Sequence, residues 1–434
     1  MGTATGQGAN VVIVGGGVAG LEIASALGKR RDPHIATVTL IDADSAHVWK
    51  PMLHTIAAGT RDLAQQQTTY LAQASDAHFA YQPGKMTGLD RERREVVLAP
   101  IMAPDGREMV PSRRIAYDKL VIAVGSGAND FGTPGVLAHC FMIDSRRKAD
   151  AFNREIRMRM VRCMTSAEQL RVAIVGAGAT GVELAAELVQ LAESASAYGA
   201  LGQAARFQIV LIEAGPRVLP SFPEEISVAT QKRLEALGVE VRVGQQVQAA
   251  TADGLTLGTG EHIAAGLRVW AAGVKAPDFL SQLGLPTTRN HQLLVNQDLQ
   301  TADPHIYAVG DCASYTLPGE DKPLPPTAQV AHQQAQYLIA LLPQVLAHPT
   351  GYTGPGFSYR DFGALVSLAH YDAYGSLGKF GVFNGGVIRG RLAMLSHIWL
   401  YRSHQARVYG FWRGGLLWLV DLMNARLRPS IRLD

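Results

Sequence analysis

The sequence of 434 residues predicts an α/β fold in which two similar parallel-sheet domains are joined in one chain. Three observations predict it. A strand, a glycine-rich turn and a helix occur in the same order at residues 11–24 and 172–185. A second apolar strand ending in an acid follows each copy, and further apolar strands that end in glycine lie between and after them. Hydrophobic residues make up 47% of the chain and charged residues 18%, which indicates a folded globular protein.

Both turns have the spacing Gly-x-Gly-x-x-Gly. The first glycine permits the tight turn, the second lets the backbone approach a pyrophosphate, and the third lets the helix pack on the strand. The helix N-terminus then offers N–H groups and a positive dipole to the phosphates. Two copies in the same context predict two Rossmann-like dinucleotide-binding domains. The positions are Gly15, Gly17, Ala19 and Gly20 in the first copy, and Gly176, Gly178, Thr180 and Gly181 in the second.

Asp42 and Glu213 end the second strand of each copy, where such an acid holds ribose hydroxyls. The alternative is an ordinary acid facing a loop. An acid at Glu213 repels a 2′-phosphate and therefore favours NADH over NADPH, although the nearby Arg217 could accept that phosphate.

Three later strands end near Gly125, Gly273 and Gly310, where a parallel sheet places its ligands. The second nucleotide-binding domain is therefore expected to be inserted in the first. The expected limits are residues 1–125 and 286–375 for the two parts of the first domain, 126–285 for the second domain, and 376–434 for a C-terminal region.

The only cysteines are Cys140, Cys163 and Cys312, which excludes a disulfide scaffold, a zinc ribbon, an iron–sulfur ferredoxin and a Cys-x-x-Cys redox pair. No metal site is expected. Residues 1–10 do not have the pattern of a signal peptide, and no apolar run is long enough to span a bilayer. We expect the protein to be kept in a reducing cytoplasm.

Two nucleotide-binding domains, one inserted in the other, resemble the glutathione-reductase-like flavoproteins. The resemblance implies that the first motif binds one non-covalent FAD and the second binds NADH as a substrate. It also implies that Gly125 belongs to the FAD site and that Asp311 binds the ribityl chain. Most of these enzymes pass electrons to a cysteine pair. This sequence lacks one, so the electrons must go elsewhere.

At finer detail the sequence resembles the bacterial type II NADH:quinone oxidoreductases, which are single-subunit respiratory NADH dehydrogenases that do not pump protons. Residues 47–54 are similar to the loop that lies over the flavin in this family, which implies flavin contact for Lys50; the alternative is an ordinary surface cation. Residues 131–135 and 270–277, which include Ala272 and Gly273, match further family motifs. The resemblance implies electron transfer from NADH through FAD to a membrane quinone, either ubiquinone or menaquinone.

Three residues are predicted to be catalytic. Glu183 matches the family residue near the nicotinamide and flavin that is implicated in proton or hydride transfer; alternatively it only complements the helix N-terminus, as expected for Glu22. Gln329 and Gln333 match the quinone-site pattern Ala-Gln-x-Ala-x-Gln. Being four residues apart, they share a helix face and could donate hydrogen bonds to a quinone carbonyl, with Gln329 also near the cofactor. The alternative is a solvated face, and His332 is expected to be structural.

The C-terminal segment Ser396–Leu427 holds three of the five tryptophans, interleaved with arginines. Residues 391–434 contain seven arginines and two aspartates, a local net charge of +5, although the net charge of the whole chain is only +3. This composition predicts an amphipathic helical anchor on an anionic bilayer surface, peripheral to the cytoplasmic face of the bacterial inner membrane. Gly414-Gly415 is expected to break or kink this run into two pieces. The alternative is a tail that docks on the body or forms a homodimer, and a nucleic-acid partner is not expected.

Other functions remain open at this point. A sulfide:quinone oxidoreductase would need a cysteine pair near the flavin, for which Cys163 and Cys312 are candidates, but the second nucleotide motif ending in Glu213 would then have no purpose. A ferredoxin or rubredoxin reductase would use a protein partner and would not need the tryptophan-rich tail. A non-enzymatic protein that senses flavin and NADH is a third alternative.

Overall fold

The computed structural model describes residues 8–61, 67–166, 168–197, 206–348, 351–380 and 383–427. Contacts divide the chain into two compact units, each assembled from three separate stretches. The first unit contains residues 1–49, 67–127 and 275–359, and the second contains residues 50–66, 128–274 and 360–434.

The first unit is built on a five-stranded parallel sheet. The strands lie in the order Ile306–Ala308, Lys119–Ile122, Ala9–Val14, Ile35–Asp42 and Ala80–Pro83. Helix Val18–Arg30 follows the central strand and packs against helix Ala328–Ala347. The inner strands read as continuous apolar runs because a parallel sheet is covered on both faces.

Smaller elements complete the first unit. An antiparallel sheet of three strands shares the core of the parallel sheet through Val96, Leu98 and Leu120. Its strands are Met86–Asp90, Glu95–Leu98 and Arg113–Ala116. The remaining elements are strands Ala46–Val48, Gln67–Thr69, Ile101–Met102, Glu108–Val110, Leu293–Leu294 and Ala313–Ser314, helix Tyr70–Ala77, and 3₁₀ turns Asp278–Gln282 and Gly310–Cys312.

The second unit repeats the arrangement. Its parallel strands lie in the order Phe141–Met142, Leu267–Trp270, Leu170–Val175, Phe207–Ile212 and Val239–Arg242. Its helices include Leu53–Ala58, Val136–His139, Arg146–Thr165, Ala179–Ala197 and Glu224–Ala236, and its antiparallel strands are Val247–Ala250, Gly254–Leu257 and His262–Ala264. In both units the strand before the glycine-rich turn is central and the acid-ended strand lies beside it. The predicted α/β fold with two Rossmann-like domains is therefore confirmed.

The C-terminal part of the second unit contains an antiparallel sheet followed by two helices. The strands are Gly363–Leu368, Asp372–Phe380 and Phe383–Arg389, and the helices are Arg391–Tyr409 and Phe411–Leu427. We call these two helices the C-terminal hairpin. Nη1 of Arg402 in the first helix lies 2.6 Å from a carboxylate oxygen of Asp421 in the second. In the part of the chain that the structure describes, no helix has the length and hydropathy to cross a bilayer.

The predicted break at Gly414-Gly415 is wrong. The first helix of the hairpin ends at Gly410, which has a φ of +87° that favours glycine, and the second helix runs through Gly414 and Gly415. A Cβ on Gly414 would lie 3.2 Å from the Cα of Ala406. Gly414 therefore permits close helix packing instead of breaking the helix.

Candidate functional site

The first glycine-rich turn joins strand Ala9–Val14 to the helix that begins at Val18. Gly15 has a φ of +103°, and a Cβ there would lie 2.3 Å from the carbonyl oxygen of Ala123. A Cβ on Gly20 would lie 1.8 Å from the carbonyl oxygen of Gly15. A Cβ on Gly17, in contrast, would meet no described atom within 4 Å. The first and third glycines are thus required by packing, and the second leaves open space at the helix N-terminus.

The second turn has the same geometry. Gly176 has a φ of +100°, and a Cβ there would lie 2.8 Å from the backbone of Ala272. A Cβ on Gly181 would lie 1.9 Å from the carbonyl oxygen of Gly176, while Gly178 borders open space among the described atoms. Both turns therefore fit a pyrophosphate that approaches the backbone at the second glycine.

The carboxylate of Asp42 fixes the first turn. Its Oδ2 accepts a hydrogen bond from the backbone N–H of Gly16 at 2.5 Å, and its Oδ1 accepts one from Asp44 at 2.7 Å. Burial raises the pKa of Asp42, and the two backbone hydrogen bonds oppose that shift. On the other side of the turn, the carbonyl oxygen of Gly16 accepts a hydrogen bond from the buried hydroxyl of Tyr70 at 2.9 Å and lies 2.9 Å from Nδ1 of His47. Tyr70 lies in no recognised motif, so the sequence did not indicate this contact.

Glu213 makes the matching contacts in the second turn. Its Oε2 accepts from the backbone N–H of Ala177 at 2.7 Å and its Oε1 from that of Gly215 at 2.8 Å. The guanidinium of Arg217 donates hydrogen bonds to the carbonyl oxygen of Phe222 at 2.8 Å and to that of Pro220 at 2.9 Å. Both acids are therefore placed at their turns, and Arg217 is engaged in local contacts.

Gly125 and Asp311 belong to neighbouring strand ends in the first unit. The hydroxyl of Ser126 donates to Oδ2 of Asp311 at 2.6 Å, and Gly125 and Gly310 have φ angles of +69° and +73°. The backbone N–H of Gly310 donates to the side-chain oxygen of the buried Gln334 at 2.6 Å. Gln334 was not singled out from the sequence, although it directly follows the quinone-site pattern.

Helix Ala328–Ala347 carries the predicted quinone-site residues. Gln329 and Gln333 are half-buried on the same helix face, and the amide of Gln329 donates to the hydroxyl of Tyr359 at 2.5 Å. The hydroxyl of Thr327 caps the helix by accepting from the backbone N–H of Val330.

His332 of the same helix lies 2.6 Å from Oε2 of Glu22 on helix Val18–Arg30, and Nε2 of Gln336 lies 3.3 Å from the same oxygen. Glu22 is buried. This pair joins helix Ala328–Ala347 to helix Val18–Arg30.

Two family motifs meet at the end of strand Leu267–Trp270. The ring of Phe131 packs on Gly273, whose φ is +65°, so that a Cβ on Gly273 would lie 2.5 Å from the ring. The backbone N–H of Asn129 donates to the carbonyl oxygen of Gly273 at 3.2 Å. The carbonyl oxygen of Asn129 accepts a hydrogen bond from the indole N–H of Trp270 at 2.8 Å. Of the other predicted site residues, Ala19 is buried, Ala272 is half-buried, and Thr180 and Lys50 are exposed.

Glu183 lies in the second turn of helix Ala179–Ala197 and is only 6% exposed. Its Oε2 lies 3.3 Å from Nδ1 of the buried His54, and its Oε1 accepts from the backbone N–H of Ser367 at 3.1 Å. Burial raises the pKa of Glu183 to about 8, and the charge of Glu187 adds to the rise. Glu183 therefore carries a proton at neutral pH. His54 lies in the predicted flavin loop, but the sequence did not indicate its contact with Glu183.

The three cysteines are free thiols. Burial raises the pKa of Cys140 and of Cys312 to about 11, so both thiols stay protonated at neutral pH. Cys312 packs in the core of the first unit. Among the described residues, no group of His, Cys, Asp and Glu could hold a metal ion.

This combination of two Rossmann-like units agrees with the family comparison. A family model described as pyridine nucleotide-disulphide oxidoreductase matches residues 9–335, and the chain belongs to this family. A type II NADH:quinone oxidoreductase of Haemophilus influenzae is 38% identical over 447 residues, which cover 98% of this chain and 99% of that protein. The one of Staphylococcus aureus is 28% identical over 374 residues, with 84% and 89% covered. Within the broader family, the chain is thus a member of the type II NADH:quinone oxidoreductases, as the sequence motifs predicted.

Solved structures agree in fold. The structure of NDH2 from Plasmodium falciparum in complex with NADH has a TM-score of 0.83 and 19% identity, and covers 98% of this chain and 100% of its own. A ferredoxin reductase from Rhodopseudomonas palustris has a TM-score of 0.65 and 23% identity, with 85% and 82% covered. At these identities the similarity shows the fold alone.

The raised pKa of Glu183 makes stability depend on pH. Between about pH 4.5 and pH 8 the folded protein holds a proton that the unfolded chain has released, so the free energy of unfolding falls as pH rises through this interval. Glu183→Gln cannot ionise. We expect it to match the wild type near about pH 5 and to exceed its stability by a few kcal/mol near about pH 8.

Melting temperatures at both pH values measure this difference. Glu235→Gln, at an exposed position of helix Glu224–Ala236, is the matched control. A stability difference for Glu183→Gln that is the same at both pH values would contradict the assignment.

Proposed function

We propose that the protein transfers two electrons from NADH through one non-covalently bound FAD to a membrane quinone, without pumping protons. The observation that carries this proposal is the pair of open glycine-rich turns, each held by its own acid, in a chain with no cysteine pair spaced for redox chemistry. Two nucleotide sites account for FAD and NADH, and the quinone-site pattern accounts for an acceptor other than a disulfide.

The first unit holds FAD. Gly17, at the N-terminus of helix Val18–Arg30, borders open space that would hold the pyrophosphate, because a helix N-terminus favours an anion. The carboxylate of Asp42 would accept hydrogen bonds from the ribose hydroxyls with its remaining lone pairs. Asp311, oriented by Ser126, accepts from the ribityl chain. When bound, the isoalloxazine ring supplies the redox chemistry between a hydride donor and a quinone.

The second unit holds NADH in the same way. Gly178 borders open space that would hold the pyrophosphate, and the carboxylate of Glu213, placed at the turn, would accept hydrogen bonds from the ribose hydroxyls. A 2′-phosphate would meet the negative charge of Glu213, while Arg217 already donates to loop carbonyls and to Ser227. These contacts favour NADH over NADPH.

The remaining site residues handle the quinone and its protons. The amides of Gln329 and Gln333 donate hydrogen bonds to a quinone carbonyl, and Tyr359 holds the amide of Gln329 in place. Glu183 holds a proton at neutral pH because it is buried. Lys50, Gly125, Ala272 and Gly273 line the cofactor sites in this proposal.

A steady-state assay tests the proposal against its alternatives. We expect denatured protein to release FAD and the native enzyme to reduce ubiquinone and menaquinone analogues with NADH, one quinol for each NADH, with a kcat on the order of 10 s⁻¹ or more. Sulfide should not replace NADH as the electron donor. Quinone reduction driven by sulfide, or reduction of ferredoxin or rubredoxin much faster than of quinone, would contradict the proposal and support the corresponding alternative.

The C-terminal hairpin is the proposed contact with the membrane. Its large apolar side chains are exposed, above all Trp399 at 71% and Trp412 at 82%. Aromatic and aliphatic side chains with arginines between them are typical of helices that lie at the bilayer interface. The further exposed apolar residues are Leu392, Leu395, Ile398, Leu400, Leu416, Trp418, Leu419, Val420, Leu422 and Met423. The proposed location is the cytoplasmic face of the bacterial inner membrane, where anionic lipids attract the arginines.

Charge in the apolar surface should weaken this binding. We expect the double variant Trp399→Glu/Trp412→Glu to lose binding to vesicles that contain anionic lipid by at least about tenfold, because each carboxylate must be buried or repelled at the interface. NADH oxidation with ferricyanide should stay unchanged. Met109→Glu, at another exposed apolar position, is the matched control.

Vesicle sedimentation and size-exclusion chromatography distinguish the outcomes. If the double variant binds vesicles as well as Met109→Glu does, the hairpin is not the anchor. If it instead converts a dimer into monomers, the hairpin is a dimerisation surface.

A further inference from the structure

This inference rests on the proposed function and concerns the source of one proton. The net reaction is NADH + H⁺ + quinone → NAD⁺ + quinol. The hydride of NADH carries two electrons and one hydrogen nucleus, but the quinol gains two hydrogens. One proton must therefore come from solvent for every turnover.

Three carboxylic acids lie along helix Ala179–Ala197. Glu183 and Glu187 are four residues apart, so they share one face of the helix, and both are more than nine-tenths buried. Glu193, near the end of the helix, is exposed. Buried carboxyl groups are rare unless they are paired or functional, and two in successive turns require an explanation.

Each buried acid has its own partners. Glu183 contacts His54 and the backbone N–H of Ser367. Glu187 accepts a hydrogen bond from the hydroxyl of Thr60 at 2.5 Å, and Arg61 is close enough to act on its charge. Burial raises the pKa of Glu187 in spite of these two partners, so this side chain also holds a proton more readily than an exposed glutamate.

Tyr371 connects this face of the helix with the surface. Its hydroxyl donates to Oε2 of the exposed Glu193, and Ser367, four residues earlier, contacts Glu183, so this segment runs along the helix past Glu187. Burial raises the pKa of Tyr371, and the nearby charge of Glu193 and, less strongly, that of Glu187 add to the rise. The guanidinium of Arg233 lies 5.8 Å from the centre of the Tyr371 ring. The half-buried Tyr371 is therefore close to an exposed carboxylate and to a buried one.

We propose that Glu193, Tyr371, Glu187 and Glu183 form a proton relay that carries the solvent proton of each turnover from the surface to the buried end at His54. Each step passes one proton between oxygen atoms and changes no oxidation state. Rotation of a carboxyl group, or one bridging water molecule, covers the step between Glu187 and Glu183. Both carboxyl groups are buried on one face of the helix, and burial raises the pKa of each above that of an exposed glutamate. When Glu183 gives up its proton, Glu187 replaces it.

Glu187→Gln tests the relay because it keeps the shape of the side chain but cannot release a proton. We expect quinone reduction with NADH to fall by at least about tenfold, the magnitude typical of a lost acid–base group. Ferricyanide accepts electrons without taking up protons, so NADH oxidation with ferricyanide should change less than about twofold. A small diffusible acid, formate, should partly restore quinone reduction. Tyr371→Phe should show the same pattern more weakly, and Glu235→Gln should match the wild type.

A spectroscopic measurement without NADH or quinone gives an independent result. Infrared difference spectra of the oxidised enzyme between alkaline and acidic pH should contain the band of a protonated carboxyl that Glu187→Gln removes. Glu235→Gln should keep this band.

Three results would overturn the relay. They are full quinone reduction by Glu187→Gln, an equal loss with quinone and ferricyanide that formate does not restore, or an infrared titration that is identical in wild type and Glu187→Gln. Failure of the proposed function is a different result, because the wild type itself would then not reduce quinone, and the infrared titration would still report on the buried carboxyl.

Discussion

A carboxylate that accepts two backbone hydrogen bonds holds each glycine-rich turn in place. Asp42 and Glu213 each bind the N–H of the residue between the first two glycines, and each also binds the N–H two residues after itself. The acid is thereby fixed relative to the turn, and the open side of the second glycine is fixed relative to the helix N-terminus. The same pair of hydrogen bonds occurs in both units, with Asp in one unit and the longer Glu in the other.

The rest of the first unit is arranged around its turn. Helix Val18–Arg30, which starts there, is joined to helix Ala328–Ala347 by the Glu22–His332 pair. Helix Ala328–Ala347 in turn holds Gly310 through Gln334. The pair therefore fixes the orientation of helix Ala328–Ala347, which carries Gln329 and Gln333, relative to helix Val18–Arg30.

The sequence was sufficient for the features that local chemistry determines. The glycine spacing and the strand-terminal acids predicted both turns, because only glycine fits Gly15 or Gly20 without a clash. Contacts between distant parts of the chain were not predictable: Tyr70 on Gly16, Gln334 on Gly310 and His54 on Glu183 depend on tertiary packing and lie in no periodic pattern. The C-terminal hairpin shows the same limit. Gly414-Gly415 looked like a break by local propensity, but packing against Ala406 keeps it helical, and Gly410 ends the helix instead.

The central claim is that the open space at the second glycine of each turn receives a pyrophosphate. FAD content and anaerobic reduction by NADH, measured on Gly17→Ala and Gly178→Ala, test it most directly. Gly415→Ala, also beside open space, is the control. We predict that Gly17→Ala is purified without FAD, whereas Gly178→Ala keeps FAD but needs at least about tenfold more NADH to reduce it, because the added methyl group occupies the place of the phosphate. If both variants keep FAD and react with NADH as the control does, the two turns do not bind the nucleotides.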